Sequence, residues 1–136
     1  MTPAVKAGLV YFVLAFAAGF LLGTFRVTFL LPRFGPTVAV LIEIPMLLAI
    51  CWNACGIVLR HLPVPNAATQ RLVMGVVAFG CLMVAEIAFA TLAFGQSLSQ
   101  HFTNYATAPG AIGLTGQVLF ALIPLVRRAA ETGGDG

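Results

Sequence analysis

Long runs of apolar residues alternate with short polar or proline-containing segments along the chain. Each run approaches the roughly 20 residues that a helix needs to cross the hydrocarbon core of a bilayer. The pattern predicts four membrane-spanning helices, at about residues 7–25, 37–59, 69–94 and 109–126. The predicted fold class is therefore an all-α integral membrane protein, a four-transmembrane-helix bundle with short connections.

Proline, glycine and polar residues mark the connections between these helices. Residues 27–36 predict a short interfacial hairpin or a continuation of the first helix, and residues 60–65 predict a tight turn. The polar segment 95–110 is the longest predicted loop. Residues 1–128 form one predicted domain, and residues 129–136 a disordered cytoplasmic tail.

The composition indicates that lipid is the solvent for most of the chain. Of its 136 residues, 60% are hydrophobic and 8% are charged, and the mean hydropathy is +1.03. Soluble domains carry about 25% charged residues, and so short a chain cannot bury this much apolar surface in a core of its own. The seven basic residues are scattered and form no patch, which argues against nucleic-acid binding. We therefore expect the lipid bilayer as a partner.

Positive charge is distributed unequally between the two ends of the predicted bundle. The end that includes both chain termini collects Lys6, Arg60, Arg71, Arg127 and Arg128. The other end carries only Arg26 and Arg33. Because cytoplasmic flanks are enriched in lysine and arginine, both termini are predicted to be cytoplasmic. We expect a multi-pass protein of a bacterial cytoplasmic (inner) membrane.

Polar residues from all four predicted helices fall at a similar depth in the outer half of the bundle. The set comprises Thr24, Arg26, Arg33, Glu43, Glu86 and Gln117. With a rise of 1.5 Å per residue, the glutamates and the glutamine lie roughly 9–12 Å from the outer ends of their helices. The two arginines and two glutamates sum to zero charge, and an unpaired charge at a helix centre costs about 2.5–3.5 kcal/mol. Arg26 with Glu43 is the first predicted ion pair, and the partner of Arg33 stays open.

Two functions fit this polar cluster. If the cluster is structural, the protein is an accessory, assembly or structural subunit that packs against other membrane proteins or against itself, and charge neutrality favours this interpretation. If the cluster is a functional site, Glu86 and Glu43 form the coupling site of an oligomeric transporter or channel for a small solute or ion.

Small and polar residues are predicted to join the helices. Ala15, Gly19 and Gly23 recur at every fourth position, which predicts close contact with a helix of the same chain or of a second copy. Asn53 is predicted to form a hydrogen bond between helices.

Two prolines are predicted to kink their helices. Pro45 and Pro124 cannot donate to the carbonyls of Leu41 and Phe120, four residues earlier. A free carbonyl close to Glu43 is also a common element of a membrane binding site.

No motif indicates catalysis, a metal ion or a cofactor. Cys51, Cys55 and Cys81 lie in apolar runs without a Cys-x-x-Cys pair, and we interpret them as packing residues. His61 and His101 fall at opposite ends of the predicted bundle, so they cannot share a metal ion. We therefore expect no catalytic residue, no metal site, no cofactor and no enzyme activity.

Overall fold

The protein is described by a computed structural model that covers residues 2–62, 64–65 and 67–134. Within these ranges it contains helices, turns and no β-strand. Four of its helices are long and apolar enough to cross a membrane; they are Pro3–Phe34, Pro36–His61, Ala68–Ala93 and Ala108–Arg127. The all-α prediction and the four long apolar helices are thus confirmed.

The helical elements follow one another with short breaks. In chain order they are α1 (Pro3–Phe25), a π-helical turn (Arg26–Leu30), α2 (Leu31–Phe34), α3 (Pro36–His61), α4 (Ala68–Phe94), α5 (Leu98–Thr103), a 3₁₀ turn (Asn104–Ala106) and α6 (Ala108–Gly134). The last helix therefore continues past Val126, where the sequence predicted its end, and residues 135–136 of the predicted tail lie outside the described residues.

The segment after α1 continues the helix and does not form a hairpin. In the π-helical turn, the N–H of Leu31 donates to the carbonyl of Arg26. Pro32 follows directly, and its ring would clash with the preceding turn of a regular α-helix, so a widened turn accommodates it. The chain reverses at Gly35, whose φ of 84° is favourable only for glycine. Pro36 then occupies the first turn of α3, where its missing N–H costs nothing.

The four long helices form a square in which sequence neighbours are not always spatial neighbours. Among the described residues, α1 packs against α3 and α4, and α6 packs against the same two helices. Helices α3 and α4 are consecutive in sequence but lie across a diagonal, as do α1 and α6. Each helix therefore faces two neighbours and the centre of the bundle.

One half of the bundle is tightly packed. We call this the termini end, because it contains the start of α1, the end of α3, the start of α4 and the C-terminal half of α6. Its buried core comprises Ala7, Tyr11, Ala15, Cys51, Cys55, Val58, Met74, Ala78, Phe120 and Ile123. The opposite half, which we call the cavity end, contains the end of α1, α2, the start of α3, the end of α4, α5 and the start of α6.

Glycine allows the closest helix contacts at the termini end. A Cβ atom on Gly8 of α1 would lie 2.8 Å from the carbonyl oxygen of Met74 in α4. A Cβ atom on Gly75 of α4 would overlap the carbonyl oxygen of Ala121 in α6. Both contacts bring one backbone against another, as small residues do in membrane bundles.

Tyr11 crosses the centre of the bundle to the turn of α6 that precedes Pro124. Pro124 cannot donate a hydrogen bond to the Phe120 carbonyl, and the hydroxyl of Tyr11 donates to that oxygen over 2.8 Å. The rings of Tyr11 and Phe120 also stack, with centroids 4.5 Å apart. The Phe120 carbonyl thus receives a hydrogen bond from the helix diagonally opposite.

Two arginines at the termini end also donate to backbone carbonyls. Arg71 is buried, and its Nη1 donates to the Pro124 carbonyl over 3.2 Å. The Nε of Arg127 donates to the Trp52 carbonyl over 3.0 Å, and its guanidinium lies 4.8 Å from the Trp52 ring centroid. Arg71 and Arg127, which the sequence analysis used to predict the topology, therefore also join neighbouring helices.

Candidate functional site

The cavity end contains a cavity of about 840 Å³ between the four long helices. Most of its wall is apolar, and the 3₁₀ turn after α5 contributes to the wall as well. Five residues of the polar cluster line it, namely Thr24, Arg26, Glu43, Glu86 and Gln117. The polar residues that the sequence placed at one depth therefore share one cavity.

Four side-chain contacts surround this cavity, one for each pair of neighbouring helices. In order round the bundle they are Arg26–Glu43 (α1 and α3), Ile44–Gly116 (α3 and α6), Gln117–Glu86 (α6 and α4) and Phe89–Phe20 (α4 and α1). Polar and apolar contacts alternate. Each carboxylate therefore belongs to a different side of the cavity.

The first polar contact is an ion pair. The Nε of Arg26 lies 2.5 Å from Oε2 of Glu43. The π-helical turn carries Arg26, and Glu43 is two turns into α3, so the helix reversal at Gly35 brings them to the same level. Glu43 is 10% exposed and Arg26 is 32% exposed, so the pair lies at the edge of the buried region. Its two charges cancel.

The second polar contact differs from what the sequence suggested. Glu86 accepts a hydrogen bond from the Nε2 of Gln117, and no arginine pairs with it among the described residues. Arg33 is exposed and forms no ion pair in the described part of the chain. The reason is distance along the helix: Arg33 lies about 10 Å beyond Arg26 at the helical rise, past the level of both carboxylates. Among the described residues, the predicted pair of Arg26 with Glu43 is therefore present, and Arg33 adds no second pair.

Glu86 is therefore the uncompensated charge of the cavity. Among the described lining residues, Arg26 contributes one positive charge and Glu43 and Glu86 contribute one negative charge each, so these three side chains together leave a net charge of −1. The Oε1 atom of Gln117 is buried and has no hydrogen-bond partner within the described ranges. A carboxylate and a neutral acceptor thus lie side by side in the wall.

A short helix and turn close the cavity at its outer rim. The Nε2 of His101 in α5 lies 3.0 Å from the hydroxyl of Tyr105, and both residues line the cavity. Burial raises the pKa of Tyr105, and the negative charge of Glu86 raises it further. The phenol therefore stays protonated, and its hydroxyl also lies 3.9 Å from the sulfur of Met83.

The segment 95–110, which was predicted to be a loop, contains this short helix and turn. A local signal was present, because Ser97 and Gln100 form a capping box in which each side chain bonds the other residue's backbone N–H. Serine followed three residues later by glutamine is a recognised start of a helix. The contact of Tyr105 with the cavity has no such local signal.

Within the described part of this chain, the small-residue stripe makes no close helix contact at Gly19 or Gly23, and a contact with a second copy stays a prediction. A Cβ atom on Gly19 would meet no described atom within 4 Å, and the nearest atom to one on Gly23 would be a nitrogen of Arg26 at 3.9 Å. Ala15 is buried, but all three residues border the cavity. The physical reason is that α1 packs closely against α4 at Gly8, in its N-terminal half. At the level of Gly19 and Gly23, the cavity separates α1 from the other helices.

Three further predicted residues have local roles. Thr24 donates to the Phe20 carbonyl of its own helix over 2.8 Å, and it lines the cavity. Asn53 does not bond between helices as predicted; it is exposed and donates to the Ala49 carbonyl over 2.9 Å. Its side chain points away from the bundle centre, so the nearest acceptor is in the preceding turn. Pro45 lies inside α3 on an exposed face.

Comparison of the chain with protein-family models, with curated proteins and with solved structures finds no match. Within the described residues, no group of three or more His, Cys, Asp or Glu side chains is placed to hold a metal ion. Among the described residues, no disulfide bond joins Cys51, Cys55 or Cys81. The cavity and its charges are therefore the features from which a function is assigned.

Proposed function

We propose that this chain is a polytopic membrane protein that binds a small solute in the cavity and transports it as an oligomer. The observation that carries the proposal is the cavity of about 840 Å³ that contains Glu86. Ligand sites typically measure about 300–1,000 Å³ and combine apolar walls with a few polar groups. Ionisable residues within membrane segments are rare, and they typically mark substrate or ion pathways or proton relays.

The two glutamates have different tasks in this proposal. Glu43 holds Arg26 and joins α1 to α3, whereas Glu86 is held only by the neutral amide of Gln117. A carboxylate without a cationic partner in an apolar cavity needs a bound cation or a proton. Glu86 is therefore the proposed coupling residue, and Glu43 supports the geometry of the site.

The orientation follows from the distribution of charge. We propose that the protein crosses a bacterial cytoplasmic membrane with both termini in the cytoplasm, because most basic residues flank the termini end. The cavity then faces the outer half of the bilayer. The packed core closes one chain at the termini end, and this supports the proposal that an oligomer forms the complete pathway.

A pair of glycine substitutions tests the proposal. Neither Gly113, which lines the cavity, nor Gly80, on the outside of α4, has a described atom within 4 Å of a built Cβ. Gly113→Leu therefore fills cavity space, and Gly80→Leu adds the same atoms outside it. Purified protein is reconstituted into liposomes, and exchange of labelled amines, carboxylates and sugars is measured.

We expect exchange of one solute class that Gly113→Leu abolishes and Gly80→Leu preserves. Exchange that neither substitution changes would contradict a role for the cavity. The accessory or assembly function that the sequence favoured predicts a different outcome: no exchange of any solute, and a partner that co-purifies in a fixed ratio with the wild type and with both variants.

A further inference from the structure

We infer that the cavity takes a lipophilic organic cation, whose charge lies against Glu86. This inference rests on the proposed function, since it names the class of solute that the same cavity binds. It depends on three features of the described residues: the net charge of the wall, the aromatic lining, and the way in which the cavity borders the lipid.

The charge of the wall selects for a single positive charge. Arg26 and Glu43 already neutralise each other at 2.5 Å, so they leave no charge for a ligand. Glu86 supplies the remaining negative charge, and the buried Oε1 of Gln117 supplies a second acceptor beside it. An anionic ligand would meet a like charge in a poorly hydrated space, which strongly disfavours binding. A monovalent cation restores neutrality.

The remaining wall favours an organic cation over a metal ion. Phe16, Phe20, Phe89, Phe120 and Tyr105 contribute aromatic rings to the lining. Aromatic faces attract cations, especially bulky and weakly hydrated ones. A hydrated metal ion would gain too few oxygen ligands here, because hard cations such as Ca²⁺ require six to eight of them. The volume likewise suits an organic molecule.

The contact between α1 and α4 offers this cation a route from the lipid. Three sides of the cavity are held by the ion pair, by the close contact of Ile44 with Gly116, and by the amide–carboxylate bond. On the fourth side, between α1 and α4, Phe20 and Phe89 meet edge to face at 6.2 Å and are about half exposed, and the described residues show no polar contact between the two helices at this level. Rotation of two apolar side chains opens that side without breaking a polar contact. A molecule with an apolar body can therefore enter from the membrane.

Two ions of the same shape and opposite charge test the inference. Tetraphenylphosphonium is a cation and tetraphenylborate is its anionic counterpart. Their affinities are measured by titration calorimetry on the full chain in a nonionic detergent, for wild type, Glu86→Gln and Arg26→Gln. Glu86→Gln retains an acceptor for the Gln117 amide, so the local hydrogen bond persists. Glu131→Gln is the matched control, because it removes an equal charge at a backbone position 14 residues after Gln117 in α6, which is roughly 21 Å along a helix.

We expect wild type to bind tetraphenylphosphonium and not tetraphenylborate. Glu86→Gln should lower the affinity for tetraphenylphosphonium by about tenfold or more, which is the effect expected of one nearby charge in a partly desolvated site. Arg26→Gln should raise this affinity, because Glu43 then adds a second free negative charge. Glu131→Gln should leave the affinity unchanged. Opposite effects of two substitutions in one cavity cannot arise from general unfolding.

Other outcomes separate the two proposals. Equal binding of both ions, or cation binding that Glu86→Gln leaves intact, would overturn the cationic class while preserving a solute-binding cavity. Binding of neither ion, together with solute exchange that Gly113→Leu abolishes, would also overturn it. No binding and no exchange of any solute would overturn the proposed function itself.

A final experiment measures the binding of tetraphenylphosphonium to the protein in nanodiscs of phosphatidylglycerol and in nanodiscs of phosphatidylcholine. If the choline lipid competes with tetraphenylphosphonium, the same cation chemistry is supported and the source of the cation is a lipid headgroup.

Discussion

The hydroxyl of Tyr11 provides a direct test of how the bundle accommodates Pro124. Tyr11 is fully buried, and its hydroxyl donates to the Phe120 carbonyl over 2.8 Å. Tyr11→Phe removes this hydroxyl and keeps the ring that stacks on Phe120 at 4.5 Å. The substitution therefore separates the hydrogen bond from the packing of the core.

The expected cost follows from the position of the acceptor. Leaving a buried acceptor unpaired costs about 1–3 kcal/mol in soluble proteins, while side-chain hydrogen bonds measured in a membrane protein average about 0.6 kcal/mol and reach about 1.7. Because Pro124 cannot supply the usual helical donor, Phe120 loses more than a typical carbonyl does. We expect Tyr11→Phe to lower the free energy of unfolding by about 1.5 kcal/mol, roughly tenfold in the equilibrium constant.

The decisive comparison is made in the background of Pro124→Ala. That substitution restores a backbone N–H, which can donate to the Phe120 carbonyl. Tyr11→Phe should then cost only about 0.5 kcal/mol, so the cycle should show a coupling of about 1 kcal/mol. The carbonyl of residue 124 remains in this variant, so the contact with Arg71 is preserved.

The four proteins of this cycle are unfolded with sodium dodecyl sulfate in mixed micelles, and helix content is followed by circular dichroism. Tyr105→Phe serves as the control, because it removes a hydroxyl that bonds to His101 and Met83 and not to a proline-freed carbonyl. Its cost should not depend on Pro124. If Tyr11→Phe costs the same in both backgrounds, the hydroxyl does not act through the freed carbonyl and the reasoning is refuted.

Three further predictions concern the ion pair, the helix contacts and the topology. Arg26→Gln and Glu43→Gln should each lower the free energy of unfolding by about 1 kcal/mol in the same assay, because the arginine is one-third exposed and can still reach water. The double variant should lose less than the sum of the two single variants, and strict additivity would argue against the pair. Gly75→Ala should lower thermal stability by about 1–3 kcal/mol through overpacking, whereas Gly80→Ala should be neutral, and equal stabilities would contradict the close approach of α4 and α6. A reporter fused to the C-terminus should be cytoplasmic, and a cysteine placed at the exposed Ser99 in a background without native cysteines should be labelled from outside; labelling from the cytoplasm alone would invert the proposed orientation.

Positions along the bundle axis could be predicted from the sequence. A helix rises about 1.5 Å for every residue, whatever it packs against. Counting from the helix ends therefore placed Glu43, Glu86 and Gln117 at one level, and they line the same cavity. The pairing of Arg26 with Glu43 also followed from level and charge, because only a short reversal at Gly35 separates their helices.

The direction in which each side chain points around its helix could not be predicted in the same way. In a soluble helix, an apolar stripe identifies the buried face. In α1, α3 and α4, apolar residues occur on all sides of the helix. This is expected if the helices cross a membrane as proposed, because lipid and core accept the same side chains, and the periodicity then carries little information. The stripe at Gly19 and Gly23 therefore seemed equivalent to any other small-residue pattern, while the close contacts are made at Gly8 and Gly75.

The sequence by itself determined the helical class, the number of long apolar helices and the level of each polar residue, since local hydrophobicity and helical rise are sufficient for these. Only the tertiary structure decided that α3 and α4 lie across a diagonal, that Glu86 pairs with Gln117, and that the helices leave a cavity between them. These features depend on how all four helices pack at once. That packing depends on side-chain volumes and on contacts between helices, such as the hydrogen bonds of Tyr11, Arg71 and Arg127 to carbonyls of other helices. No single segment of the sequence specifies these contacts.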